Sequence, residues 1–243
     1  MVIVRRIHNL LHPKRGCIVM LHRVTDVTEK SQTPRHMAIT PNDLERMING
    51  YREMGWRFVS MDEVSEIAKN FQFSIFNFQL SHFNSQLSTF VSFTFDDGYL
   101  DTYTTAYPLL KQLGVPFCVY MTRDFYRGTA RPQWGSEAMM MNVEQMQELS
   151  HDPICTIGAH TCSHPRLSDL TIEEQKREMK ECKEDLEQLL GKEVRHLAYP
   201  HGVYSQDTVK IAAELGFETA VTTSGRYVRD DSRLMELDRL VTF

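Results

Sequence analysis

Two aspartates, Asp96 and Asp97, stand side by side after the apolar run Phe93-Thr94-Phe95 and before Gly98-Tyr99. Adjacent carboxylates repel when both are ionised, so such a pair needs a cation or a shared proton to relieve it. The chemistry this permits is cation binding or acid–base work, although Asp-Gly is also a common turn dipeptide. Further along, His160 and His164 flank Thr161-Cys162-Ser163 and precede Pro165, again just past an apolar run. Imidazoles four residues apart can converge on one ion. With one carboxylate they form a set that leaves positions open for water and substrate. A third cluster, Ala198-Tyr199-Pro200-His201-Gly202, ends another apolar run in a Pro–Gly turn that can aim a backbone N–H into a site.

The elements that must position these groups alternate along the chain. Strands are expected at Cys17–His22, Phe90–Phe95, Phe117–Met121, Ile154–Ala159, Arg195–Tyr199, Phe217–Thr222 and Leu237–Thr242, with a short extra one at Arg57–Ser60. Most are continuous apolar runs, the pattern of parallel strands covered on both faces. Between them, Thr40-Pro41 opens a helix running to Gly55, and Ser60-Met61-Asp62-Glu63 is a capping box opening the next. Further helices fit Leu100–Leu113, Asn142–Ser150, Thr171–Leu190 and Ser205–Leu215, three of them stopped by Gly114, Gly191 and Gly216. Such alternation argues for one α/β barrel or doubly wound sheet, in which functional groups gather at strand C-termini. All three clusters fall there.

Composition bounds the reading. The chain has 243 residues, with 42% apolar and 24% charged residues and a net charge of −5. That excludes a wholly disordered chain, a collagen-like fibre and a generally basic nucleic-acid binder. No apolar run reaches the roughly 18 residues of a membrane-spanning helix. Cys17, Cys118, Cys155, Cys162 and Cys182 are odd in number, form no C-x-x-C pair and read as reduced, packed thiols.

Together the three clusters resemble the polysaccharide deacetylases of carbohydrate esterase family 4. Thr94–Gly98 matches that family's Thr-Phe-Asp-Asp-Gly motif, His160–Pro165 its His-[Ser/Thr]-x-x-His-Pro motif, and Pro200–Gly202 its Pro-[Tyr/His]-Gly turn. The resemblance spans Cys17 to Phe243 and implies a single distorted (β/α) barrel of about seven parallel strands. It also implies metal-dependent removal of N-acetyl groups from a glycan containing N-acetylglucosamine. On that pattern Asp97, His160 and His164 hold a divalent metal, commonly zinc. Asp96 is the catalytic base, and the backbone N–H of His201, at the family's Tyr position, helps bind the oxyanion.

Two departures accompany the match. The family's Arg two residues before the third motif's proline is Ala198 here, and Arg195 lies three residues further back. No histidine follows Gly202, where the family usually places its general acid. Cys17–Val24, an apolar strand ending in His22, looks like the opening strand of the circularly permuted branch that includes poly-β-1,6-N-acetylglucosamine deacetylases. In a closed barrel first and last strands are neighbours, so a strand moved between termini preserves the site. By that resemblance His22 is the general acid. The alternatives are an O-acetyl esterase or other amidohydrolase on the same site, or a degenerate barrel that binds glycans without cleaving them.

The remaining features read as structural. Cys162 is expected to pack beside the histidines, His196 to be a core residue, Met139-Met140-Met141 to be loop or core filler, and His8 with His12 to lie on a basic surface. Residues 76–89 hold a near-perfect seven-residue tandem repeat, expected as an inserted surface loop. Residues 1–16 form a basic segment before the catalytic domain at 17–243, and residues 1–25 carry five bases and no acid. No clear export signal precedes the domain, so the expected location is cytoplasmic or at the inner membrane face. There the basic segment would meet anionic lipid while the partner is an acetylated glycan.

Overall fold

The computed structural model describes residues 14–26, 34, 37–76, 89–132 and 138–241. Along the chain lie β1 (Lys14–Leu21), β2 (Arg23–Val24), β3 (Ala38–Ile39), α1 (Pro41–Glu53), β4 (Arg57–Phe58), α2 (Met61–Phe76) and β5 (Phe90–Phe95). Then follow α3 (Tyr107–Leu113), β6 (Phe117–Met121), α4 (Arg123–Tyr126), α5 (Val143–His151), β7 (Cys155–Ala159) and α6 (Ile172–Leu190). The chain continues through β8 (His196–Ala198), α7 (Gln206–Glu214), β9 (Thr219–Val221), β10 (Val228–Arg229) and β11 (Leu240–Val241). The repeat at 76–89 and the histidines His8 and His12 fall almost wholly outside the described residues.

Parallel pairing runs β1-β5-β6-β7-β8-β9, with the edge strand β10 antiparallel to β1. The segment after β9 completes the curl. Leu237 bridges Val221 of β9 in parallel, and three residues later β11 pairs with β1, Val19 opposite Leu240. These segments form a distorted barrel, and the short β4 adds in parallel at the N-terminal end of β5, Arg57 opposite Phe90. The run Leu237–Thr242, expected as one strand, is shared between two neighbours, which is why regular pairing is limited to Leu240–Val241.

Side-chain alternation sorts two cores. Phe93, Phe95, Phe117, Val119 and Leu197 face outward under Leu110, Leu149, Met179 and Leu186 of the helices. Ile18, Cys118, Tyr120, Ala198, Val221 and Leu237 share a second cluster with Val64, Ile67 and Phe71 of α2. That helix sits at the N-terminal ends of β8 and β9, where Asp62 meets His196 at 2.7 Å and Ser65 meets Glu218 at 2.8 Å.

The helix starts follow their caps. Thr40, Asn142, Thr171 and Ser205 each accept from the backbone N–H three residues on, in reciprocal capping boxes with Asp43, Gln145, Glu174 and Thr208. The helix expected over Leu100–Leu113 instead opens as a π-turn at Thr102–Ala106 before α3. Pro108 near the start of α3 has no N–H for the carbonyl four residues back, so the ladder slips there.

Candidate active site

Strand β5 delivers the two aspartates at its C-terminal end. The Asp96 N–H donates to the Leu21 carbonyl at 2.9 Å, tying the turn to β1. Asp97 then adopts a left-handed backbone with φ 72°. Gly98 follows at φ 82°, where a Cβ would lie 2.7 Å from the end of Met121. The Tyr99 hydroxyl donates to the Asp97 carboxylate.

Strand β7 delivers the histidines. The His160 Nδ1 lies 2.8 Å from the Ala198 carbonyl, which accepts its proton and leaves Nε2 as the free lone pair. That Nε2 is 3.7 Å from Asp97 Oδ1, and the His164 Nε2 is 3.5 Å from the same oxygen. The loop carrying His164 is held from α6. Glu178 accepts from the Cys162 and Ser163 N–H groups, both at 2.9 Å, and from the Ser163 hydroxyl at 2.8 Å. Thr161 and His164 are left-handed at φ 66° and 62°. Among the described non-glycine residues, Asp97, Thr161, His164 and His201 are the four with positive φ, and all four border one pocket or its loop.

Ligand atoms of Asp97, His160 and His164 lie within 4.8 Å of one another. Asp97 Oδ1 is buried without a hydrogen-bond donor. Burial pushes the Asp97 carboxyl up to about 6, and burial holds the His160 imidazole down to about 3. Two neutral imidazoles and a desolvated carboxylate oxygen with no donor are a set that a divalent cation would satisfy. The residues fit a metal.

Asp96 has a different surrounding. Both its oxygens receive the Arg239 guanidinium, Nη1 to Oδ1 and Nη2 to Oδ2, each at 2.7 Å. Arg239 also donates from Nη1 to the Thr94 hydroxyl at 3.1 Å and from Nε to the Thr222 carbonyl at 3.0 Å. Burial opposes ionisation of Asp96, but the guanidinium outweighs it and holds the carboxyl well below the usual carboxylate range. Two neighbouring aspartates thus sit in opposed environments, one pushed up and one held down.

His22 follows β1 and faces the same cavity, its Nδ1 buried without a partner. Burial lowers its basicity, and Asp96 and Asp97 pull it partly back. His201 turns left-handed at φ 59° between Pro200 and Gly202, its ring 4.4 Å from that of His164. The cavity is about 190 Å³, lined by the four imidazoles and two carboxylates together with Met20, Met37, Tyr99, Pro132 and Thr223. Cys162 stays outside it, buried, its thiol pushed up to about 12 by burial. His196 lies at the far end of the barrel between Asp62 and Thr219. All five cysteines are free and buried.

A family model described as polysaccharide deacetylase matches residues 84–220, more than half of the chain. The chain belongs to the polysaccharide deacetylase family. The Bacillus subtilis protein YxkH, named for the same family, is 31% identical over 150 residues, 62% of this chain and 50% of its own. The peptidoglycan-N-acetylmuramic acid deacetylase PdaA of the same organism is 28% identical over 128 residues, 52% of this chain and 43% of its own. The chain thus spans half or less of the length of these curated relatives. Among solved structures, the Streptococcus pyogenes deacetylase PplD in complex with acetate superposes with TM-score 0.73 at 25% identity, over 93% of this chain and 91% of that one. IcaB from Ammonifex degensii shares the fold, with TM-score 0.74 at 22% identity over 95% and 93% of the chains.

The structure also bears on the first departure from the family pattern. The arginine missing at Ala198 has a counterpart on another strand. Arg239, in the segment that closes the barrel, reaches the same aspartate. Arg195 does not substitute for it, since it pairs with Asp62 and Glu218 at the opposite end of β8. Arg239, Glu178 and Tyr99 were missed by motif reading. The signal for Arg239 was faint but present: a basic residue inside Leu237–Val241 must find an acid once that segment is buried.

Proposed function

We propose that the protein is a metal-dependent deacetylase that hydrolyses N-acetyl groups on a glycan containing N-acetylglucosamine. The observation that carries this is the pairing of an Arg239-clamped Asp96 with the Asp97–His160–His164 cluster, whose Asp97 Oδ1 lacks a donor, in one cavity. A divalent metal held by Asp97, His160 and His164 would supply a Lewis acid for the acetyl carbonyl and for water. Asp96, kept ionised by Arg239, accepts the proton of the attacking water on a carboxylate oxygen that retains a second lone pair. The His201 N–H, presented by the left-handed turn, donates to the oxyanion that develops on the carbonyl oxygen. His22 delivers a proton to the amine, which leaves poorly as an anion, and acetate is released.

The IcaB-like fold and the family membership support a glycan amide as substrate. Arg5, Arg6, Lys14 and Arg15 support contact with an anionic membrane face, whereas Arg23, the fifth base within residues 1–25, is buried against Asp101. No helix among the described residues is long and apolar enough to cross a membrane. The test combines metal analysis with acetate release from N-acetylglucosamine oligomers and from O-acetylated xylan. Metal in the purified protein and acetate from the oligomers are expected. Acetate from xylan alone would make it an O-esterase, and bound metal with no acetate from either would make it a binding barrel.

A further inference from the structure

The Arg239 guanidinium has five N–H donors, all in its own plane. Four hydrogen bonds to Thr222, Thr94 and the two oxygens of Asp96 hold it within that plane. They resist motion perpendicular to the plane only weakly. Beyond those bonds, the guanidinium carbon lies over the ring of Tyr120, 5.6 Å from the ring centroid. That distance is within the range of a cation–π contact, and burial strengthens the attraction. Tyr120 is fully buried on the inward face of β6.

The ring also explains a glycine. Gly158 of β7 is the register partner of Tyr120. Its backbone is not left-handed, so no turn requires it. A Cβ there would lie 2.5 and 2.6 Å from Tyr120 Cδ1 and Cε1, closer than the 3.0 Å to the His196 carbonyl oxygen. Glycine in a strand interior is unfavourable unless something approaches closely, and here the ring does.

We infer that Tyr120 is a positioning residue for the base Asp96, acting through Arg239, and that Gly158 is a glycine in order to admit the Tyr120 ring. This rests on the reading of Asp96 as the base. The chain of contact is Gly158, Tyr120, Arg239, Asp96, and it crosses β7, β6, the closing segment and β5. Without the ring a cavity opens under the guanidinium, which can drop from the carboxylate plane and open the two-point clamp.

The experiment measures kcat, KM and bound metal for acetate release from N-acetylglucosamine oligomers. Asp96→Asn is the control on the underlying reading: if it keeps wild-type turnover, Asp96 is not the base. Given a silent control, Tyr120→Leu should lower kcat at least tenfold with KM within twofold and metal content unchanged. Tyr120→Phe, which keeps the ring, should restore most of that loss. In an Arg239→Met background Tyr120→Leu should cause no further fall. Gly158→Ala, which presses on the ring, should lower kcat in the same non-multiplying way and replaces Tyr120→Leu if that variant does not fold. Wild-type kcat in Tyr120→Leu, or a loss that multiplies in full on Arg239→Met, would overturn the inference.

Discussion

Replacing Arg239 by methionine removes the cation from a carboxylate that is 2% exposed. The pair is two-point, with both contacts at 2.7 Å. Removing one member of a buried ion pair costs about 3–5 kcal/mol, because the other charge is left unpaired in a poorly solvating site. At about 1.36 kcal/mol per pH unit, that energy corresponds to an upward shift of the Asp96 carboxyl by roughly 2–4 units. The sign follows from linkage. In the wild type Asp96 has a depressed folded value, so its contribution is present above the unfolded value near 4 and is lost as pH falls further. In the variant only His160 and His22 still oppose burial, the folded value rises, and the charged carboxylate stabilises the fold less at neutral pH. The stability gap should therefore be widest at pH 7 and narrow on acidification. It closes first as the variant's carboxyl protonates, then as the wild type loses its own contribution. Denaturant midpoints from pH 7 to pH 3 measure this, alongside kcat, which should fall about 10²–10⁴-fold as the base loses the clamp that orients it. An Arg239→Met protein with wild-type kcat and an unchanged midpoint at pH 7 would refute the argument.

Three more outcomes follow from the geometry. In metal-free protein, Asp97 with a value near 6 makes stability fall as pH rises from about 4 to 6, by about 3 kcal/mol. Chelator-treated wild type should show that loss in thermal melts, and chelator-treated Asp97→Asn should lack it while failing to bind metal in competition titrations. Glu178→Ala frees the loop that carries His164, and metal affinity should weaken about 10–100-fold by the same titration. His22→Ala should retain metal and lose turnover on the amide, yet lose far less on an aryl acetate whose leaving group needs no proton; equal losses on both would remove His22 as the acid.

What could be read from the sequence was what lies contiguous in it. Thr94–Gly98 and His160–Pro165 carry their own spacing, and each follows a continuous apolar run, so both residues and location were legible. Helix starts were legible because a cap is a local pair, as at Thr171 and Glu174. Arg239 was not, because its partner Asp96 is 143 residues away and only barrel closure brings them together. Glu178 reads as one more acid in a charged helix, yet it is the side chain that holds the Cys162 and Ser163 backbone. Tyr120 reads as core and is core, but its position under a guanidinium depends on the register of β6 against β7. The π-turn at Thr102–Ala106 left only Pro108 as its trace, and proline near a helix start is ordinarily favourable.

The closing segment also sets an order of events. During synthesis β1 with His22 emerges early, β5 and β7 later, and Leu237–Val241 only after all the other site residues. Until that segment has left the ribosome, the β1 edge lacks its β11 neighbour and Asp96 has no counter-ion. A nascent chain can thus hold both histidines and both aspartates and still lack the clamp that orients its base. Deacetylation would switch on at a late, single step, and pairing across more than 200 residues of sequence makes that step slow. A chain cut after residue 236 would keep its entire recognisable motif set and be silent.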